Sequence, residues 1–93
     1  MNLALNEDQL RVTSIPHSSK NLVIFTGIPL KRDSYQVNTG RYYVTVKASP
    51  DSLPVLPSVG QHWSVTGLRS VAEVSHGDYL MEQHVYANPS RIE

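Results

Sequence analysis

Apolar and polar residues alternate with a period of two in several short runs of this chain, the pattern of half-buried strands. In Arg41–Ala48, Tyr42, Val44, Val46 and Ala48 fall on one face, and Arg41, Tyr43, Thr45 and Lys47 on the other. The first set reads as the core face. Gln61–Arg69 divides in the same way, with Trp63, Val65 and Gly67 against His62, Ser64, Thr66 and Leu68. Leu10–Ile15 alternates and stops at Pro16. Leu22–Phe25 is continuously apolar, which predicts burial on both faces. The last run, Asp78–Ala87, sets Tyr79, Met81, Gln83 and Val85 against Leu80, Glu82, His84 and Tyr86. Both of its faces are mixed, so the pattern does not choose an inner side.

Glycine and proline punctuate these runs. Gly27 predicts a bulge or sharp bend, and Pro29 an edge or the end of pairing. Lys31–Gly40 reads as a long polar loop. Three prolines between Ser49 and Ser58 exclude a regular helix there. Ser70–Gly77 reads as a connection with room for one helical turn, and Asn88-Pro89 ends the last strand. No long amphipathic helix and no repeat is evident. The expected fold is therefore all-β: a small barrel or sandwich of four or five strands with little or no helix. Residues 1–8 read as a flexible tail, 9–88 as the single domain, and 89–93 as a C-terminal tail or the start of a linker.

Composition narrows the function classes. The 93 residues suffice for one domain with a modest core. There is no cysteine, which excludes a disulfide framework and thiolate metal sites and fits a reducing compartment. The N-terminus has no basic, apolar secretory pattern, and no apolar run has the length of a membrane helix. A cytoplasmic location without membrane association is expected. The formal net charge is zero, which argues against strong autonomous DNA binding, since phosphate contacts supply most of that affinity.

Catalytic patterns are lacking. His17, His62, His76 and His84 are far apart, and none stands at metal-ligand spacing. There is no Gly-x-Ser-x-Gly elbow, no phosphate-cradling Gly-x-x-x-x-Gly-Lys and no Gly-x-Gly-x-x-Gly. The chain is expected to be non-enzymatic by itself, without cofactor or metal. The one face with binding chemistry is Arg41, Tyr43, Thr45 and Lys47, where an aromatic ring sits among cations. Such a face suits base stacking with phosphate contact. It is equally the composition of an ordinary solvated strand face. Trp63, between Ser64 and His62 but sharing its face with Val65 and Gly67, reads as a core residue.

Gly27-Ile28-Pro29-Leu30-Lys31, then Gly40-Arg41-Tyr42-Tyr43-Val44-Thr45-Val46, then Pro57-Ser58-Val59-Gly60-Gln61-His62-Trp63-Ser64-Val65-Thr66-Gly67 resembles the N-terminal OB-fold domain of RecD-like DNA helicases. The resemblance spans residues 22 to 87, with Gly77–Gln83 as the final segment. It rests on short strand and turn motifs. The Pro-rich stretch after Ala48 and the run around Val12 depart from the pattern. The resemblance implies an OB-like Greek-key barrel of five strands, serving as a helicase accessory domain in DNA repair or recombination. Without a Walker motif, it also implies that the chain is a piece of a longer protein whose other domains would be its partners. OB folds bind through strands 2–3 and two loops. Carried onto this chain, the single-stranded-DNA site would be Lys31, Arg32, Tyr35, Arg41, Tyr43, Thr45 and Lys47, joined by the loop Ser70–Gly77. Lys31, Arg32 and Arg41 would meet phosphates, and Tyr35 and Tyr43 would stack on bases. Any binding is expected to be weak. A protein-docking or structural domain with no nucleic-acid binding is the alternative.

Overall fold

The computed structural model describes residues 5–30, 42–77 and 79–93. Seven strands account for most of them: β1 (Asn6–Ser18), β2 (Val23–Pro29), β3 (Tyr42–Ala48), β4 (His62–Gly67), β5 (Arg69–His76), β6 (Tyr79–Ala87) and β7 (Arg91–Ile92). A single 3-10 turn, Pro50–Ser52, follows β3. The strands form one mixed sheet in the order β5-β6-β3-β2-β1-β4-β7. All ladders are antiparallel except β3–β6, which is parallel. The all-β expectation holds. The expectation of five strands in a closed barrel does not, since the sheet has seven strands and no ladder joins β5 to β7.

Three boundaries differ from the sequence reading. The Ser70–Gly77 connection is a strand, β5, because every one of its residues from Ser70 to His76 finds a partner on β6. Gly77, with φ 61°, makes the turn between them in a conformation that favours glycine. Asn6–Asp8 belong to β1 rather than to a tail, paired with Val65–Gly67 of β4. Arg91–Ile92 form β7 on the other side of β4, with Ile92 in the core. At both termini a neighbouring strand edge supplies the hydrogen bonds that local composition does not suggest.

β1 organises the sheet. Its first half pairs with β4 and its second with β2, and two register shifts bend it after Val12 and after Ser14. Pro16, which cannot donate to a ladder, falls in the second of these. Gly27 of β2 lies opposite Val12, beside the first shift. A Cβ there would meet the Arg11 carbonyl oxygen and lie 2.5 Å from Leu10 Cδ1, so close strand approach requires glycine. β4 and β5 are separated by Leu68 alone.

One face of the sheet carries the core: Leu10, Val12, Val23, Phe25, Val44, Val46, Trp63, Val65 and Tyr86, closed by Leu53 and Ile92. Phe25 and Trp63 meet with ring centroids 5.5 Å apart, so Trp63 is a core residue as its neighbours predicted. Gln61 Oε1 accepts the indole N–H at 3.1 Å and the Ser58 amide at 2.7 Å, which ties the Pro-rich segment to the core. The Leu22–Phe25 run is not buried on both sides. Val23 and Phe25 point inward, Leu22 is exposed, and Ile24 is half-buried on the outer face.

Candidate nucleic-acid interface

The outer face of β1, β2 and β3 follows from the register. Arg11 stands beside Ile28, Ser14 beside Thr26, and His17 beside Ile24. Thr45 adjoins Thr26, and Lys47 adjoins Ile24. On the far side Tyr43 adjoins Gln83, and Thr45 adjoins Val85. The result is a continuous surface of hydroxyls, one amide and branched apolar residues, with Tyr43 half-buried and Arg11 and Lys47 exposed. Thr13 Oγ1 donates to the Thr26 carbonyl at 3.3 Å, and the Ser14 and Thr26 hydroxyls share a hydrogen bond. These bonds fix β1 to β2 across the bulges. At the end of the face, the turn to β2 is held by Ser19: its hydroxyl accepts from the Asn21 and Leu22 amides, and it presents exposed Lys20.

Charge is unevenly distributed despite the neutral total. Leu10–Ser18 of β1, all of β2 and all of β3 contain no carboxylate, while Arg11 and Lys47 project from them. The β6 residues on this side are Met81, Gln83, Val85 and Ala87, also uncharged. Asp8 is buried, exposed Glu82, adjoining Tyr42, points to the opposite side, and exposed Glu7 shares the outer face of β1 with Arg11 but stands where β1 pairs with β4.

Of the site residues read from sequence, Tyr43 and Lys47 occupy this surface as expected. Thr45 shares the face but is only 3% exposed, and its hydroxyl accepts from Gln83 Nε2 at 3.1 Å. It therefore supports the surface from below, because the neighbouring strands β2 and β6 crowd it from both sides. Lys31, Arg32, Tyr35 and Arg41 lie outside the described residues. Ser70–Gly77 contributes the strand β5 rather than a binding loop. Residues that sequence reasoning did not assign to the site are Arg11, His17, Lys20 and Gln83. His17 was hidden because the bulges in β1 break the simple alternation, and Arg11, on the polar side of a regular stretch, because nothing local places β1 beside β2 and β3. Gln83 was hidden because neither face of its strand looked apolar.

A second polar constellation lies beneath the sheet. Asp8 Oδ2 accepts from the Tyr86 hydroxyl at 2.6 Å and from Arg69 Nη1 at 3.1 Å, and Oδ1 accepts from the Tyr42 hydroxyl at 3.2 Å. Burial first, then the bond to Asp8 and its charge, raise the Tyr86 phenol well above an ordinary tyrosine, against a small opposing effect of Arg69. For Arg69, burial favours the neutral form, but the bond and charge of Asp8 outweigh it and the guanidinium is held above its ordinary value. His84 stacks on Tyr42 with centroids 4.1 Å apart, and its Nε2 lies 3.0 Å from Glu82 Oε1. This network links β1, β3, β5 and β6. It has the form of a structural clamp, since three donors converge on one buried carboxylate.

Among the described residues no group of three or more His, Asp or Glu side chains is placed to hold a metal ion. None of their helices is long and apolar enough to cross a membrane. A shallow groove of about 230 Å³ lies beside Trp63, lined by Pro54, Val55, Gln61, His62 and Glu93. No protein-family model, curated protein or solved structure matches this chain.

Proposed function

We propose that this chain is a non-catalytic OB-type module that contacts single-stranded DNA through the outer face of β1, β2 and β3. The path of the strands supports the OB reading. With β4 and β5 taken as one strand bent at Leu68, its first half pairs with β1 and its second half with β6. The observed pairings β4–β1, β1–β2, β2–β3, β3–β6 and β6–β5 then involve five strands with a parallel β3–β6 step, in a sheet that is open between its β5 and β7 edges. On this path the first loop is the Lys20 turn, and the binding strands are β2 and β3. The accessory role in a RecD-like helicase rests on the resemblance of the Gly27–Lys31, Gly40–Val46 and Pro57–Gly67 motifs.

The observation that carries the DNA reading is the segregation of charge. From Arg11 across β2 to Lys47 that face carries no carboxylate, exposed Glu7 lying beyond Arg11 beside β4, so Tyr43, Arg11, Lys47 and nearby Lys20 offer stacking and phosphate contact together. The zero net charge keeps the affinity low and salt-sensitive. Fluorescence anisotropy with labelled oligo-dT at low salt tests it. Binding in the micromolar range is expected, weakened roughly tenfold by Tyr43→Ala, within the range of about 1–3 kcal/mol for one stacked base. No binding at high micromolar protein, or binding indifferent to Tyr43→Ala, overturns the proposal.

The groove beside Trp63 favours a second reading, protein docking, because Val55, Leu56 and Val59 are exposed on the segment that forms or adjoins its rim. A size-exclusion shift with a partner protein, abolished by Val55→Asp and insensitive to Tyr43→Ala, would select that reading.

A further inference from the structure

We infer that Gln83 reads nucleobases at this interface, placed beside Tyr43 and oriented by Thr45; the inference rests on the nucleic-acid function proposed above. Tyr43 and Gln83 are direct neighbours in the parallel β3–β6 ladder, and both are half-buried on the outer face. Gln83 Nε2 donates to Thr45 Oγ1 at 3.1 Å. Thr45 is itself buried, so the acceptor is fixed and the amide plane with it. A primary amide has two N–H donors and an oxygen acceptor, and the bond to Thr45 uses one donor. The second N–H and Oε1 have no hydrogen-bond partner among the described residues.

This leaves an adjacent donor and acceptor, held rigidly, next to the ring on which a base would stack. Unstacked bases present the same pairing of donor and acceptor on their edges, and single-stranded recognition uses those edges together with stacking. The amide is uncharged and so adds little toward phosphates, which are the partners of Arg11 and Lys47. Gln83 and Lys47 should therefore report on different parts of the ligand.

The experiment compares a labelled oligo-dT with an abasic phosphodiester oligomer of the same length and charge, at low salt, using the whole chain. Gln83→Ala should weaken oligo-dT binding about fivefold, the effect of one hydrogen bond, and leave the weaker binding of the abasic oligomer unchanged. Lys47→Ala should weaken both alike. Thr45→Val keeps the buried shape and removes the acceptor, so it should reproduce part of the loss on oligo-dT alone. Equal losses on the two oligomers for Gln83→Ala, or no loss on oligo-dT, overturn the inference and leave the DNA reading standing. Failure of the unaltered chain to bind either oligomer overturns both. Circular dichroism of each variant separates these outcomes from unfolding.

Discussion

At the scale of single residues, the most consequential position is Asp8. Three donors from three other strands end on its carboxylate, which is buried. Asp8→Ala removes the carboxylate to which the Tyr86 hydroxyl, the Tyr42 hydroxyl and the Arg69 guanidinium donate. A loss of about 3 kcal/mol is expected, read as a lower urea midpoint at unchanged slope. Tyr86 supplies a pH dependence of known sign. The folded chain holds its phenolic proton to higher pH than the unfolded chain does. That contribution is fully present below about pH 10, the ordinary tyrosine value, and is lost as pH rises toward the folded-state ionisation. Unfolding free energy measured between pH 8 and 12 should fall above pH 10, and the fall should be smaller in Tyr86→Phe. Asp8 shows why such residues are hard to find in a sequence: a lone carboxylate in Asn6-Glu7-Asp8 has the composition of a solvated tail. Only its partners, up to 78 positions away along the chain, mark it as interior.

At the scale of elements, legibility followed the strength of alternation. β3 and β4 were readable because their inward residues, Val44, Val46, Trp63 and Val65, stand between polar neighbours. β5 was not readable, since Ser70, Ala72 and Ser75 weaken its pattern and β6 supplies the pairing. The inward side of β6 is set by polar groups, His84 and Tyr86, a choice made by Asp8 and Tyr42 across the core. The glycine at position 27 was legible as a bend, and the structure gives its cause in the contact with the β1 backbone at Arg11. Gly27→Ala must push β1 away from β2. A destabilisation of about 2 kcal/mol, at the overpacking scale, is expected in thermal unfolding, accompanied by faster hydrogen exchange of the β2 amides.

At the scale of the whole molecule, neutrality and charge distribution are separate properties. The sequence is balanced in charge, yet β2, β3 and the facing half of β1 are free of carboxylates. If Arg11, Lys20 and Lys47 each meet one phosphate, three contacts set the salt dependence. The logarithm of the binding constant for single-stranded DNA should then fall with the logarithm of salt at a slope near −2, at about 0.7 per contact. Lys47→Glu should flatten that slope, whereas Gln83→Ala should leave it unchanged; anisotropy titrations across a salt series measure both. The candidate site was half legible: Tyr43 and Lys47 followed from the alternation of one strand. His17 did not, because bulges reset the faces of β1 beyond Val12, Arg11 did not, because its nearness to Tyr43 and Lys47 depends on strand order, and Thr45 looked exposed until its neighbouring strands were known. By itself, the sequence determined an all-β chain, the inward residues of its regular strands, Trp63 as core and the absence of catalytic motifs, since these depend on local periodicity and residue chemistry. The tertiary structure alone decided the strand order, the parallel β3–β6 step, the burial of Asp8 and Thr45, and the gathering of Arg11, Lys47, Tyr43 and Gln83 on one surface. Those depend on which distant strands become neighbours, and pairing across the sheet, not spacing along the chain, sets that.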